Sequence, residues 1–304
     1  MNTQDPDQER DDGGACSSPD SLFNGELELE EDVSFDDEDV LPANDANARP
    51  AADSRQEENV LPARRTPPPI PGLFLLDPHL RVPGDLARDV YAFCKTTYFR
   101  TPSDNQVMLF ERAPDPTARS ENSPSECPSP PSTSSSLPAT LLALLRALAA
   151  ELAPVLPPGV HALLFPAAPT RARQIIINKY APGEGISAHV DLLRRYGDGI
   201  IGVSLGSGCV MRFRDVGDEG AAHESYKPVA GEGANSANAT HDLYLPEGSV
   251  YVMTGDARYR WTHEIERKSA DYVEREDGQG VEWIERGERI SVTFRWMLEG
   301  GDVL

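Results

Sequence analysis

Apolar residues follow two different rhythms along this chain, and the rhythm changes near its middle. In "PGDLARDVYAFCKTTYF" and "LPATLLALLRALAAELAPVL" they recur every three to four positions, which predicts helices, the second over 138–153. "NQVMLFER" (105–112) predicts a strand between these helices. From Ala172 onward the period falls to two, and Gly, Pro and Asp separate short apolar runs. These runs predict seven strands, at 173–180, 200–207, 209–215, 241–247, 249–255, 259–265 and 288–297.

This order of elements predicts a mainly β domain with helices ahead of it. Many short strands with turn residues between them favour a sandwich or jelly roll, closed so that sheet edges are hidden. The two helices would then pack on one face of a sheet.

Composition separates a charged N-terminal segment from this domain. Residues 1–65 carry 19 acidic and 5 basic side chains, and apolar residues are sparse there. Such a segment cannot bury enough surface to offset its chain entropy, so we predict a disordered acidic tail. It is either a docking segment for a protein partner or a plain solvated tail. The folded domain is predicted over 66–304, with a low-complexity insertion rich in Pro and Ser at 113–136.

Cysteine spacing and the N-terminal sequence bear on the compartment. The four cysteines show no paired spacing, which argues against a disulfide framework and favours a reducing environment. The first ten residues lack the basic and apolar regions of a signal peptide. The apolar run at 137–156 contains Arg146 and Glu151, so a buried helix explains it better than a membrane span. We therefore expect a cytoplasmic or nuclear protein, monomeric and not bound to a membrane.

Candidate metal ligands appear in "YAPGEGISAHVD", where His189 and Asp191 stand one residue apart. In so acidic a chain, a solvated turn would give the same pair. His263, in the strand predicted over 259–265, is the natural third ligand. Two His and one carboxylate suit an open site for non-haem Fe(II). The remaining histidines are interpreted as structural or solvated: His79, His161, His223 and His241.

Two arginines share one face of the last predicted strand. In "RISVTFR", alternation places Arg289, Ser291 and Arg295 together, opposite an apolar face. Buried arginines need partners, so an inner position for both requires an anion, and their spacing suits a five-carbon dicarboxylate. On an edge strand, both would instead reach solvent. On an earlier strand, Asn178 and Tyr180 also share a face and can donate hydrogen bonds to carboxylate oxygens.

Together, "NKYAPGEGISAHVD", "VSLGSGCVMRF", "GDARYRWTHEI" and "RISVTFR" resemble the AlkB-like branch of the iron(II)/2-oxoglutarate dioxygenases. The resemblance covers 174–296 and excludes the acidic tail and the insertion. It implies a double-stranded β-helix fold, Fe(II) as cofactor, and 2-oxoglutarate and O2 as cosubstrates. It implies iron on His189, Asp191 and His263, and 2-oxoglutarate contacts from Asn178, Tyr180, Arg289, Ser291 and Arg295.

Three functions remain compatible with these residues. The first is an oxygenase that demethylates or hydroxylates a modified base in RNA or DNA. The second is the same chemistry on a protein side chain or small molecule. The third, an inactive scaffold that works through its acidic tail, fits poorly with a complete ligand set. For the first, Tyr98, Phe99 and Phe110 are candidates for base stacking. The candidate substrate-binding arginines are Arg194, Arg195, Arg258 and Arg260.

Overall fold

The structure is a computed structural model that describes residues 61–77, 80–111, 137–217 and 239–299. Helices and strands follow one another largely as the apolar periodicity predicts. The N-terminal elements are β1 (Leu73–Leu75), α1 (Gly84–Thr97), β2 (Gln106–Glu111), α2 (Ala139–Leu152) and α3 (Pro158–Leu164).

Six strands form the larger sheet, in the order β1-β8-β5-β12-β3-β2, and every neighbouring pair is antiparallel. Its remaining strands are β3 (Arg173–Tyr180), β5 (Tyr196–Gly206), β8 (Val250–Met253) and β12 (Arg289–Met297). One face of this sheet packs against the helices, where Ile290, Val292 and Phe294 of β12 meet leucines of α2. Arginines on β12 therefore face away from the helices, because successive side chains alternate.

Four strands form the smaller sheet, in the order β4-β9-β6-β7. They are β4 (Ile186–His189), β6 (Cys209–Asp215), β7 (Thr240–Leu245) and β9 (Trp261–Ile265). Phe213 and Leu243 of this sheet share a buried cluster with Tyr251 and Met253 of the larger sheet, so the two sheets face each other. Two facing antiparallel sheets with helices outside confirm the predicted jelly roll, a double-stranded β-helix with N-terminal packing helices.

Strand register brings the candidate site residues together on the inner faces. On the smaller sheet, His189 lies directly opposite His263. On the larger sheet, β12 lies between β3 and β5, so its inner side chains have neighbours on both sides. Across β12 and β3 the pairs are Arg289 with Tyr180, Ser291 with Asn178, and Arg295 with Gln174.

The folded part begins earlier than predicted. Ala63 and Arg64, assigned from the sequence to the tail, form parallel bridges to Val273 and Leu243. Ala63 is only 2% exposed, so residues 61–65 belong to the fold. Two bridging residues are too few to produce a periodic pattern in so polar a stretch. Residues 1–60 and the insertion predicted at 113–136 lie outside the described residues, and their disorder stays a prediction.

Several short elements were not anticipated. They are α3, the strand β4, a helix α4 (Gly255–Tyr259), and a hairpin of β10 (Ala270–Glu274) and β11 (Val281–Glu285). The strand predicted to begin at Tyr259 begins instead at Trp261, because a single helical turn occupies the preceding five residues. The hairpin strands, "ADYVE" and "VEWIE", alternate apolar and charged residues in part, so the strand signal was present but was missed in this highly charged stretch. None of the described helices has the length and apolar character needed to cross a membrane.

Candidate metal centre

Two strands and a turn assemble a three-ligand cluster. His189 ends β4, His263 lies opposite on β9, and Asp191 follows two residues after β4. One ligand atom from each residue lies within 4.8 Å of the others. Gly185 makes this approach possible, since a Cβ atom there would lie 1.9 Å from the carbonyl oxygen of Ile265. The Gly-rich turn in the sequence therefore lets β4 approach β9 closely.

Both imidazoles are held in forms that suit a metal. Nδ1 of His189 lies 2.7 Å from the carbonyl oxygen of Ser187. If Nδ1 donates in that contact, the ring lone pair is on Nε2. Burial, reinforced by the neighbouring His189, lowers the pKa of His263 to about 3, although Asp191 acts in the opposite direction. His263 is therefore neutral at physiological pH, as a ligand must be.

Asp191 is buried, yet it stays ionised. Burial alone would raise its pKa, but the guanidinium of Arg295, followed by His263 and Arg258, outweighs burial and lowers the pKa to about 2. Nη1 of Arg295 donates directly to Oδ1 of Asp191. The cluster thus combines one fixed carboxylate with two imidazoles, a donor set that suits Fe(II) with positions left open.

Arg258 holds the segment that carries Asp191, and its predicted role in substrate contact is wrong. It is only 2% exposed and cannot reach a polymer outside the protein. Its guanidinium donates to four main-chain carbonyls within 2.9–3.4 Å, those of Asp191, Leu192, Tyr196 and Gly197. Because a buried arginine needs its donors satisfied, this loop and this side chain stabilise each other.

The other predicted substrate arginines differ in exposure. Arg260 makes a two-bond ion pair with Asp215, at 2.7 and 3.0 Å, and is therefore not available to a phosphate in this arrangement. Arg195 is half-buried against Tyr196, with 6.0 Å between guanidinium carbon and ring centroid. Arg194 is exposed three residues after Asp191. Of the four, Arg194 is the best placed to meet a ligand from solvent.

Arg289 sits at the other end of the inner face of β12. Its Nε donates to Oγ of Ser204 at 2.8 Å, and its guanidinium carbon lies 5.2 Å from the ring centroid of Tyr180. Nη1 is buried and has no hydrogen-bond partner among the described residues. Burial raises the pKa of Tyr180, so its phenol is protonated and can donate. A buried, unsatisfied cation beside hydroxyl donors is suited to a carboxylate.

The expectation that both arginines need a ligand anion is wrong for Arg295. Its charge is already neutralised by Asp191, and its Nε donates to Oε1 of Gln174 at 2.8 Å. Both arginines do point inward and both are 3% exposed, as the alternation predicts. Asn178 also lies on this face, where its Oδ1 accepts from Nε2 of Gln106 at 2.8 Å. Its amide nitrogen is then the group left to donate.

Ser204 and Gln174 were missed by the sequence reasoning. Gln174 is fully buried, and its Nε2 lies 3.6 Å from Sδ of Met108 while its Oε1 accepts from Arg295. A polar residue at the start of the apolar run "QIII" was the available signal. Ser204 gave a weaker one, because serine is common in strands and turns alike. Only the pairing of β5 with β12, which sets Ser204 opposite Ser291, brings it within hydrogen-bond distance of Arg289.

A family model for the 2OG-Fe(II) oxygenase superfamily matches residues 87–295. This span includes all three members of the cluster and both inner arginines. Nothing in the described geometry conflicts with iron or with 2-oxoglutarate at these positions. The ligand atoms are close enough for one ion, and Arg289 supplies a buried cation for a dicarboxylate.

Curated relatives match 40–46% of the chain. An uncharacterised protein of Acanthamoeba polyphaga mimivirus is 36% identical over 126 residues, covering 41% of this chain and 49% of the relative. The tRNA (carboxymethyluridine(34)-5-O)-methyltransferase ALKBH8 of Mus musculus is 34% identical over 132 residues, covering 40% and 17%. An N6-methyladenosine RNA demethylase ALKBH of Cryphonectria parasitica is 29% identical over 150 residues, covering 46% and 63%. The matched part is thus half or less of the first two relatives.

Proposed function

Because this chain belongs to the 2OG-Fe(II) oxygenase superfamily, we propose that it oxidises a modified base in RNA or DNA, by demethylation or hydroxylation. Within this proposal Fe(II) is held by His189, Asp191 and His263. The far carboxylate of 2-oxoglutarate is held by Arg289, with Asn178, Tyr180 and Ser291 as hydrogen-bond donors and Arg295 at the metal end.

The observation that carries the catalytic part is the pairing of an open cluster with one unsatisfied arginine. Three ligand atoms within 4.8 Å leave room around an ion for further ligands. On the same inner face, Arg289 keeps a buried nitrogen without a partner. A hydrogen-bond donor left unsatisfied in a protein interior destabilises the fold, and a bound carboxylate would satisfy it.

Each residue has a definite task in this proposal. Arg295 keeps Asp191 ionised and fixed, and Arg258 holds the main chain that carries it. Arg289 and Tyr180 orient the cosubstrate so that its other end faces the cluster. The packed sheets around them exclude water. Once bound, Fe(II), 2-oxoglutarate and O2 together supply the oxidising power that hydroxylates a C–H bond.

A nucleic-acid substrate is supported by the names of two relatives and by the surface beside the cluster. Those names are a tRNA methyltransferase and an RNA demethylase. Leu192, directly after Asp191, is exposed, and Arg194 follows it. Phe110 is half-buried on the inner side of the edge strand β2. An apolar contact, a ring and a cation are the groups that receive an unstacked base and its phosphate.

The competing proposal is the same oxygenase chemistry on a protein side chain or small molecule. It is favoured by the burial of Arg258 and the ion pair of Arg260, which remove two of the four predicted phosphate contacts. It also agrees with the overall acidity of the chain, whose net charge is −22. Strong non-specific binding to duplex DNA is not expected of such a protein.

A substrate panel separates these proposals. Single-stranded RNA and DNA oligonucleotides carrying methylated or otherwise modified bases are incubated with Fe(II), 2-oxoglutarate and the full chain. Succinate release and the mass of each digested nucleoside are measured, with Asp191→Ala as the control. We expect at least one modified nucleoside to lose the mass of CH2 on demethylation, or to gain the mass of one oxygen atom on hydroxylation, only with the unsubstituted protein. Succinate formation stimulated by peptides or metabolites, with every base unchanged, would reject the nucleic-acid substrate.

A further inference from the structure

Three arginines line a cavity that the proposed reaction does not use. The cavity, of about 310 Å3, lies on the helix-covered side of the larger sheet, between α2 and the neighbouring ends of β3 and β12. Arg146 comes from α2, Arg171 precedes β3, and Arg173 is its first residue. Among the described lining residues, Glu111 is the one carboxylate. The cavity therefore carries an excess of positive charge in an otherwise acidic protein.

Arg173 forms the rigid back of this cavity. Its guanidinium carbon lies 4.0 Å from the ring centroid of Trp296, and its Nη2 donates to the carbonyl oxygen of Leu164 at 3.3 Å. Glu111 is 3.4 Å away and a third exposed, so this ion pair is loose. Burial lowers the pKa of Arg173, and Glu111 only partly opposes that effect. A second anion beside Arg173 would stabilise a cation that burial disfavours.

Arg146 and Arg171 form the front of the cavity. Both are exposed, and within the described ranges neither makes an ion pair. The half-buried ring of Phe165 and two prolines also line the cavity. Two exposed guanidinium groups, one buried guanidinium and an apolar wall suit a phosphate with its attached sugar and base.

A short path joins this cavity to the metal centre. A Cβ atom on Gly197 would lie 3.6 Å from Nη1 of Arg171 and 3.8 Å from the carbonyl oxygen of Trp296. From Gly197 the chain runs back through Arg195 and Arg194 to Asp191, only six residues earlier. Leu298 N also donates to the carbonyl oxygen of Arg195 at 2.8 Å, which keeps that segment against the end of β12. These contacts place Arg171, Arg195 and Arg194 along one edge of the larger sheet, where β3 and β5 begin and β12 ends.

We infer that this edge is a binding track for the backbone of single-stranded nucleic acid, with one nucleotide phosphate held in the cavity by Arg146, Arg171 and Arg173. The inference rests on the proposed function, since the strand is the one whose modified base enters the metal centre. Arg194 would meet the strand near that base, and the cavity would meet it a few nucleotides away. The free guanidinium groups there replace the phosphate contacts expected, from the sequence, of Arg258 and Arg260.

Salt dependence of oligonucleotide binding tests the track. Fluorescein-labelled ten-nucleotide RNA and DNA are titrated with the full chain, and anisotropy is followed from 50 to 300 mM salt. Each lost phosphate contact should reduce the log–log slope by about 0.7, equivalent to about eightfold weaker binding at 50 mM salt. Because the cavity holds one phosphate, the double variant Arg146→Ala/Arg171→Ala should lose about 0.7 of the slope. Arg267→Ala is the control, because Arg267 is an exposed arginine on the β9–β10 connection that forms no part of the track.

Each result has one meaning. A reduced slope for the double variant and an unchanged slope for Arg267→Ala support the track, with the RNA and DNA arms showing which polymer binds more tightly. Equal slopes for the unsubstituted protein and the double variant overturn the track and leave the base-oxidation proposal standing. Loss of binding in the double variant without oxidation of any base supports the track and rejects that proposal. Absence of salt-dependent binding to either polymer overturns the track. Melting temperatures check that the variants remain folded.

Discussion

Each end of the inner face of β12 carries a buried arginine, and the two arginines differ in how many of their hydrogen-bond donors are satisfied. Arg289 and Arg295 lie on the same face six residues apart, and each is 3% exposed. Arg295 is fully engaged by Asp191, by Gln174 and by the ring of Tyr196, whose centroid is 3.6 Å from its guanidinium carbon. Arg289 has Ser204 and the ring of Tyr180, and one nitrogen remains unsatisfied.

This difference separates a structural cation from a binding cation. Arg295 is satisfied within the protein, because its partner is Asp191, a proposed metal ligand in the same chain. Arg289 is incomplete, and the missing partner fits a carboxylate from outside the chain. Burial and sequence pattern do not distinguish the two, whereas the count of satisfied donors does. Substitutions at the two ends should therefore affect different measurements.

The largest effect is expected at the metal end, from Asp191→Ala. Two imidazoles alone rarely hold Fe(II) in an open site, so iron binding and succinate formation should be abolished. Asp215→Ala is the control, since Asp215 is also buried and paired with an arginine, Arg260. It should lower stability but keep iron and turnover. Iron content is measured by mass spectrometry and turnover by succinate release. Asp191→Ala protein that still turns over at the unsubstituted rate would show that another group holds the metal.

Arg295→Ala should affect stability first. It removes one partner of a buried ion pair, which costs about 3–5 kcal/mol of folding free energy. Arg286→Ala, which breaks the buried pair with Asp271, a pair that contains no candidate metal ligand, should cost a similar amount. Only Arg295→Ala should also weaken iron binding, because Asp191 then loses its orienting partner. Urea unfolding and iron titration measure the two effects. Equal iron affinity in both variants would mean that Arg295 does not position Asp191.

Arg289→Ala should instead affect the cosubstrate. Losing one partner of a buried charge pair costs about 2–5 kcal/mol. The KM for 2-oxoglutarate should therefore increase by a factor between about 30 and several thousand. Stability should fall less than in Arg295→Ala, since Arg289 has one unsatisfied nitrogen before substitution. Steady-state kinetics and urea unfolding test both statements. A rise in KM below about threefold would place the dicarboxylate elsewhere.

The sequence predicted which side chains of β3 and β12 lie on the inner face. It did not predict the difference between Arg289 and Arg295. Period-two alternation placed Arg289, Arg295, Asn178 and Tyr180 correctly, because strand geometry fixes the face of each side chain. The jelly roll was predicted from short strands separated by turn residues, and the structure confirms it. Which arginine keeps an unsatisfied donor depends on cross-strand contacts with residues such as Ser204. Sequence spacing carries no information about such contacts.

The same limit explains the error at Arg258. Its position beside the predicted ligand strand was correct, and its charge suggested a phosphate contact. In the structure it lies on a short helix and donates to main-chain carbonyls of the Asp191 loop. Carbonyl oxygens are present at every residue, so a sequence never reveals which loop will need a buried guanidinium. Burial, which depends on the whole fold, decides between the two roles.

The smallest effects are expected from two glutamines that hydrogen-bond to residues at or beside the two ends of the inner face of β12. Gln174 accepts from Arg295, and Gln106 donates to Asn178. Replacement by leucine roughly keeps the volume. In Gln174→Leu it leaves the buried Nε of Arg295 without its acceptor, which costs about 1–3 kcal/mol, and in Gln106→Leu it removes a part-buried hydrogen bond worth about 0.5–1.5 kcal/mol net. Gln174→Leu acts through Arg295 on the metal end, so kcat and iron affinity should fall while the KM for 2-oxoglutarate stays within about twofold. Gln106→Leu acts through Asn178 and should raise that KM with kcat nearly constant. The variants Gln174→Asn and Gln106→Asn keep an amide on a shorter side chain, so each should lose less than the corresponding leucine variant. If both leucine variants change kcat and KM alike, the two ends of β12 act as one site and the contrast between Arg289 and Arg295 has no functional consequence.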